Sequence, residues 1–124
     1  MVTSKTVVFV CEHGALKSRL AAAMFSAAAP AGWQATSAGL HPQATVSVHA
    51  AALLAGTNAA KLLDLDSPKP LIEIGQPDRL ITIDCVIDGA TAWRLAHGEP
   101  DATMRDELRD RVADLAREIA DDHR

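Results

Sequence analysis

The sequence predicts a three-layer α/β/α domain built on a central parallel sheet of about four strands. Two observations carry this. Apolar, β-branched runs at residues 6–10 and 80–83 alternate along the chain with segments whose apolar residues recur at helical spacing, the pattern of parallel β-α-β units. The runs are also continuous rather than alternating polar and apolar, as strands buried on both faces are. At 124 residues, 48% of them hydrophobic, the chain has the size of one domain (1–124) and enough apolar side chains for its own core.

Each element follows in order. Residues 6–10 are the first strand. Ser18 begins a helix with Leu20, Met24 and Ala27 or Ala28 on one face, which Pro30 helps to end. Residues 33–38 form a second strand closing at Gly39. Residues 45–54 place Val46, Ala50, Leu53 and Leu54 at helical spacing, with Gly56 as the stop. Residues 58–76, broken by Pro68 and Pro70, fit a short helix or a strand equally well. Residues 79–84 are a buried strand and 92–95 a further short one. Thr103 stands as the N-cap of a closing helix, with Asp106 three residues on. Met104, Leu108, Val112, Leu115 and Ile119 mark that helix's buried stripe, while Glu107 and Arg111 pair four apart on its wet face.

Several function classes are excluded. A net charge of −4 without any Lys/Arg stripe gives no nucleic-acid footprint. No apolar run approaches the ~20 residues a bilayer span requires, so no membrane partner is expected. Met1 to Lys5 lacks a signal-peptide layout. Two widely separated cysteines form neither a disulfide framework nor a CxxC knuckle, and the expected setting is a reducing cytoplasm. A metal on Cys11 and His13 would need further ligands nearby, and none are there. No nucleotide P-loop or Gly-x-Gly-x-x-Gly fingerprint follows a strand. Neither metal nor cofactor is expected. His41, His49, His97 and His123 read as ordinary surface or loop residues.

The chemistry concentrates in Cys11-Glu12-His13-Gly14-Ala15-Leu16-Lys17-Ser18, between the first strand and the first helix. Backbone amides of residues 12–18 at a helix N-terminus can wrap a tetrahedral oxyanion. Gly14 can take the positive φ a tight loop requires. Such surroundings lower a thiol pKa from about 8.5 into the range of roughly 3.5–7.5, which would make Cys11 a nucleophile. The Glu12 carboxylate is tolerable beside an anion only if it points to solvent. Trp93 fits either a pocket lining or the core. Cys85 reads as a small buried hydrophobe at a strand end.

This stretch resembles the loop of the low-molecular-weight protein tyrosine phosphatases and of the arsenate reductases that share their fold: Cys, five residues, Arg, Ser/Thr, directly after the first strand. Ser37-Ala38-Gly39 matches the Ser-Ala-Gly that often ends the family's second strand, and Glu99-Pro100 stands where the family has Asp-Pro before its last helix. The resemblance covers most of the chain in order and spacing. Residues 58–78 match poorly, and the segment after Cys85 is shortened.

The resemblance implies a phosphatase-like fold and a role for each matching residue. Cys11 would be the nucleophile, and Glu12, His13, Gly14, Ala15, Leu16, Lys17 and Ser18 the phosphate-binding loop. Ser18 would donate to the sulfur, Ser37 would brace the loop, and Glu99 would be the proton shuttle with Asp101 as understudy. The departures are specific. Lys17 replaces the family's arginine, keeping the charge and losing the bidentate fork, and loss of such a transition-state donor typically costs about 10²–10³ in rate. Arg19, two residues on, should face another side of the helix. His13 stands where the phosphatases usually have glycine, and Gly14 where they usually have asparagine.

The implied activity is hydrolysis of a phosphomonoester, phosphotyrosine or a smaller substrate, through a phosphocysteine. Two alternatives stay open. One is arsenate reduction, which would need an external thiol because no cysteine follows Cys85 to complete an internal relay. The other is a catalytically weak phosphate-binding pseudo-phosphatase. A phosphocysteine carrier of the sugar phosphotransferase type also places its cysteine loop after the first strand. The Ser37-Ala38-Gly39 and Glu99-Pro100 features favour the phosphatase side.

Overall fold

The computed structural model describes residues 4–122; residues 1–3, at the start of the segment read for a signal peptide, and His123 lie outside them. The first strand, β1 (Lys5–Cys11), is wholly buried from Val7 onward. Its parallel neighbours are β2 (Trp33–Gly39) on one side and β3 (Arg79–Ile83) on the other, with β4 (Thr91–Trp93) beyond β3. The order is β2-β1-β3-β4. The chain steps from β1 to one neighbour and returns to the other, so strand order reverses at β1. In open parallel sheets ligands occupy the crevice beyond the carboxyl ends at that reversal. Cys11 is the last residue of β1 and pairs with Gly39.

Successive residues of β1 face opposite ways. Val7, Phe9 and Cys11 join the larger core with α1 (Lys17–Ala28) and α3 (Ala102–Asp122), through Leu20, Phe25, Met104, Leu108 and Ile119. Fully burying a side chain such as Phe9 or Leu20 contributes roughly 1.5–3 kcal/mol. Trp93 belongs here too: its ring lies 5.7 Å from that of Phe9, which in turn lies 6.1 Å from Phe25. On the opposite face Val8, Val10 and Ala38 are covered by Leu40, Leu71, Ile74, Leu80, Cys85 and Ile87. This second layer is thin, and includes a one-turn 3-10 helix, Leu71–Glu73. The architecture is the three-layer α/β/α arrangement.

The structure corrects the sequence reading in three places. The helix expected over 45–54 is only α2 (His49–Leu54); just before it the chain runs against the Cys11 loop, where the Ser47 N–H donates to the Ala15 carbonyl at 3.0 Å. The ambiguous stretch 58–76 is neither one helix nor a strand: it carries one-turn 3-10 helices at Ala60–Leu62 and Leu71–Glu73 and a bridge from Pro70 to Gly39. Thr103 is not the cap of α3. The Asp101 carboxylate accepts the Met104 N–H at 3.1 Å and the Asp101 carbonyl accepts the Arg105 N–H at 3.1 Å, which makes Asp101 the N-cap. No helix of the described residues is long and apolar enough to cross a membrane.

Candidate active site

The Cys11 loop turns its carbonyl oxygens outward. Those of Cys11, Glu12 and His13 accept the N–H groups of Leu40 (3.1 Å), His41 (2.7 Å) and Gln43 (3.1 Å). The Gly14 carbonyl accepts Arg19 Nε at 2.9 Å. Those of Ala15 and Leu16 accept Ser47 N–H (3.0 Å) and Leu20 N–H (2.9 Å). A planar trans peptide points its N–H opposite to its carbonyl, so the amides that follow face the hollow of the loop. Among the described residues, no N–H of residues 12–17 donates in a backbone hydrogen bond outside the regular elements.

Two supports fix this shape. Gly14 takes φ +64 and packs directly on Gly39. Arg19, only 3% exposed, lies under the loop and donates to the Gly14 carbonyl and, at 2.5 Å, to the Asp64 carbonyl. It faces away from the hollow, as its place on the helix suggests.

Cys11 lies on the floor, 6% exposed, and its Sγ shares a buried 3.1 Å hydrogen bond with Ser18 Oγ. Glu12, His13, Ala15, Leu16 and Lys17 rise around it, with Gln43 and Ser47 opposite, lining a cleft of about 270 Å³. The Glu12 carboxylate points to solvent and pairs with His41 Nδ1 at 2.7 Å. His41 is an exposed loop residue, as its sequence context suggests.

Lys17 Nζ does not stand free in the cleft. It lies 2.6 Å from Asp84 Oδ2, one residue beyond β3. Asp84 Oδ1 accepts the Leu95 N–H at 2.8 Å, and the Asp84 N–H donates to the Trp93 carbonyl at 2.8 Å. Burial alone would raise the Asp84 carboxyl. The Lys17 hydrogen bond, the Leu95 amide and the positive charges of Lys17 and Arg94 outweigh it and hold the group below the usual carboxylate range.

The segment carrying Glu99 runs beside this pair: a Cβ on Gly98 would stand 3.8 Å from Lys17 Nζ. Its anchor is Glu107, whose carboxylate accepts the N–H groups of Ala96 (2.8 Å at the nearer oxygen) and His97 (3.1 Å). Arg111 Nη2 adds a bond to the Arg94 carbonyl at 2.8 Å. Glu107 and Arg111 thus do not merely pair on a wet face; they hold the loop. Asp101 Oδ2 lies 2.7 Å from His97 Nε2, and that hydrogen bond, followed by the Met104 amide, keeps its carboxyl below the usual range. Glu99 is exposed in a bend, its side chain without a hydrogen bond among the described residues.

Ser37 pairs in register with Phe9, two positions below Cys11, and lines a small cleft with Arg19 and Asp64; its side chain makes no hydrogen bond to the loop. Cys85 is half-buried against Val8 and Val10 with its thiol 3.6 Å from the Val10 carbonyl, and burial pushes that thiol up. Sequence reasoning missed Asp84, Glu107 and the bracing role of Arg19. Only Asp84 had a readable signal, as the polar residue ending a buried parallel strand. Among the described residues no cluster of three or more metal-ligating side chains occurs.

No protein-family model matches the chain, and no curated protein matches it by sequence. Solved structures do. A thioredoxin-dependent arsenate reductase from Corynebacterium glutamicum superposes with a TM-score of 0.73 at 26% identity, covering 95% of this chain and 63% of its own, so the present chain spans under two thirds of that protein. An arsenate reductase from Archaeoglobus fulgidus gives 0.68 at 28% identity over 89% of this chain and 98% of its own. An arginine phosphatase from Geobacillus stearothermophilus gives 0.72 at 19% identity, covering 95% and 94%, a likeness of fold alone.

Proposed function

We propose that this chain, a divergent member of the superfamily of low-molecular-weight protein tyrosine phosphatases and arsenate reductases, uses Cys11 to cleave a small phosphomonoester. The observation that carries the reading is the loop of outward carbonyls and inward amides around a buried thiol that touches Ser18. The Cys11 sulfur attacks phosphorus in line; the S–P bond forms as the P–O bond to the leaving group breaks. The amides of residues 12–18 hold the remaining oxygens, and Lys17 supplies a point charge at the rim. Glu99 gives its proton to the leaving oxygen. It then takes one from a water that attacks phosphorus, breaking the S–P bond and releasing phosphate. Ser18 donates to the departing sulfur. Asp101 is engaged as the helix cap and in a hydrogen bond with His97, which favours Glu99 as the shuttle. The chain has no tyrosine and Trp93 is packed on Phe9, which favours a small substrate over phosphotyrosine.

A second reading, arsenate reduction, is favoured by one observation: both arsenate reductases named above share more than a quarter of their aligned residues with this chain. Here Cys11 attacks arsenic(V) and displaces water. An external thiol then attacks the Cys11 sulfur, forming a mixed disulfide while arsenic takes the electron pair and leaves as arsenite; a second thiol molecule restores Cys11.

The test is turnover of p-nitrophenyl phosphate, and separately of arsenate with dithiothreitol, each beside Cys11→Ser. Hydrolysis lost in Cys11→Ser supports the first reading, and thiol-dependent arsenite lost in it supports the second. Activity that survives Cys11→Ser, or phosphate binding without either reaction, overturns both.

A further inference from the structure

Three constraints meet at Asp84. Its backbone takes φ +56, a left-handed conformation uncommon outside glycine but more accessible to Asp and Asn. One carboxylate oxygen holds Lys17 Nζ at 2.6 Å and the other holds the Leu95 N–H at 2.8 Å. It also stands at the end of β3, beside the end of β1, where the crevice opens. A single carboxylate therefore ties the first turn of α1 to the segment leading to Glu99. Lys17 lines the cleft over Cys11, so an anion entering there meets a cation already matched.

We propose that Asp84 is a positioning residue that competes with the bound oxyanion for Lys17, holding the ammonium toward the Glu99 segment and weakening the cleft's grip on a bare inorganic anion. This rests on the oxyanion reading of the Cys11 loop. The asymmetry of the two partners says which one moves. Asp84 is pinned by the Leu95 and Trp93 backbone as well as by Lys17, whereas a lysine is a point charge on a flexible stem. Lys17 is drawn to the anion when it arrives and returns to Asp84 when it leaves. The arrangement favours release of phosphate as a product.

Asp84→Asn tests this, since asparagine tolerates the same backbone, keeps an acceptor for Leu95 and removes the charge. Titrated calorimetrically with inorganic phosphate at fixed ionic strength, Asp84→Asn is expected to bind roughly three- to tenfold more tightly than the parent. The gain is expected to vanish in Lys17→Met/Asp84→Asn, and turnover of p-nitrophenyl phosphate in Asp84→Asn is expected to fall. A merely structural Asp84 would move affinity the other way. Phosphate affinity that is unchanged or weaker in folded Asp84→Asn overturns the inference alone, as does a gain that survives Lys17→Met. Absence of phosphate binding in every variant and the parent overturns the oxyanion reading and the inference with it. If Asp84→Asn fails to fold, Asp84→Gly removes the same charge at a backbone angle glycine accepts.

Discussion

Gly14 and Gly39 meet backbone to backbone at the base of the Cys11 loop. A Cβ on Gly39 would stand 2.6 Å from the Gly14 nitrogen and 2.6 Å from the His13 carbonyl carbon; one on Gly14 would stand 2.9 Å from the Gly39 nitrogen. The atoms in the way are main chain, so no side-chain rotation relieves the overlap. The end of β2 is thus the wall against which the loop is folded, and Gly39 does for the loop what Ser37 was expected to do.

Gly39→Ala should therefore displace the loop itself. Overpacking of this kind typically costs about 1–3 kcal/mol, and the inward amides would lose their common centre. The expected result is a lower thermal midpoint together with loss of phosphate binding in a calorimetric titration. Gly32→Ala is the contrast: Gly32 has φ +85 but a Cβ added there would meet nothing within 4 Å, so the change should cost only about 1–2 kcal/mol of backbone strain and leave phosphate affinity unchanged.

Arg19 supports the loop from below. Arg19→Met would leave the buried Gly14 carbonyl without its donor, and an unsatisfied buried polar group costs about 1–3 kcal/mol. Its urea midpoint should fall accordingly, with Arg19→Lys between it and the parent. Arg117→Ala, which removes an exposed pairing with Asp114, should stay within about 0.5 kcal/mol of the parent. Equal losses at the two positions would show that burial of the guanidinium is irrelevant.

Ser18→Ala removes the hydroxyl 3.1 Å from Cys11 Sγ. The proposed chemistry uses that hydroxyl when the sulfur departs, so breakdown of the phosphocysteine should slow more than its formation, by about 10²-fold. Rapid-quench kinetics with p-nitrophenyl phosphate should then show a burst of p-nitrophenol matching the enzyme concentration. A uniform loss of both steps without a burst would remove Ser18 from that role.

What the sequence displays and what it conceals divides by distance along the chain. The Cys11 loop is legible because strand, loop and helix start are consecutive residues. The Lys17–Asp84 pair is not, because its partners lie 67 positions apart and nothing local to either names the other. Thr103 and Asp101 are both capping residue types two positions apart, and the choice falls to Asp101, whose carboxylate is also engaged by His97. The apolar spacing over 45–54 overstates the helix, whose preceding residues lie against the Cys11 loop and donate the Gln43 and Ser47 N–H groups to its carbonyls. Glu107 shows its spacing to Arg111 in the sequence, while the backbone amides it holds lie about a helix turn and a loop upstream.

Glu107 invites a direct test. Glu107→Gln keeps the shape but weakens the charge-assisted bonds to Ala96 and His97, each worth about 1.5–3 kcal/mol. Amide hydrogen exchange at Ala96 and His97 should accelerate by at least about tenfold. Turnover should fall while phosphate affinity holds, since the loop proposed to bind the anion is anchored elsewhere. Loss of phosphate affinity in this variant would contradict that separation.

The acid side of the stability profile follows from Asp84 and Asp101, whose carboxyls are both held below their ordinary range. A depressed folded-state pKa contributes stability that is present above the unfolded value and lost as pH falls through the folded one. The thermal midpoint should hold from neutrality to about pH 5 and drop below about pH 4, where carboxylates titrate. Asp101→Asn separates charge from capping, because asparagine caps a helix about as well as aspartate but cannot form the ion pair with His97. The variant should keep the far-ultraviolet helix signal of the parent and lose part of the drop in midpoint between pH 5 and pH 3. A profile as steep as the parent's would mean that the fall belongs to other carboxylates, with Asp101 acting as a neutral cap would.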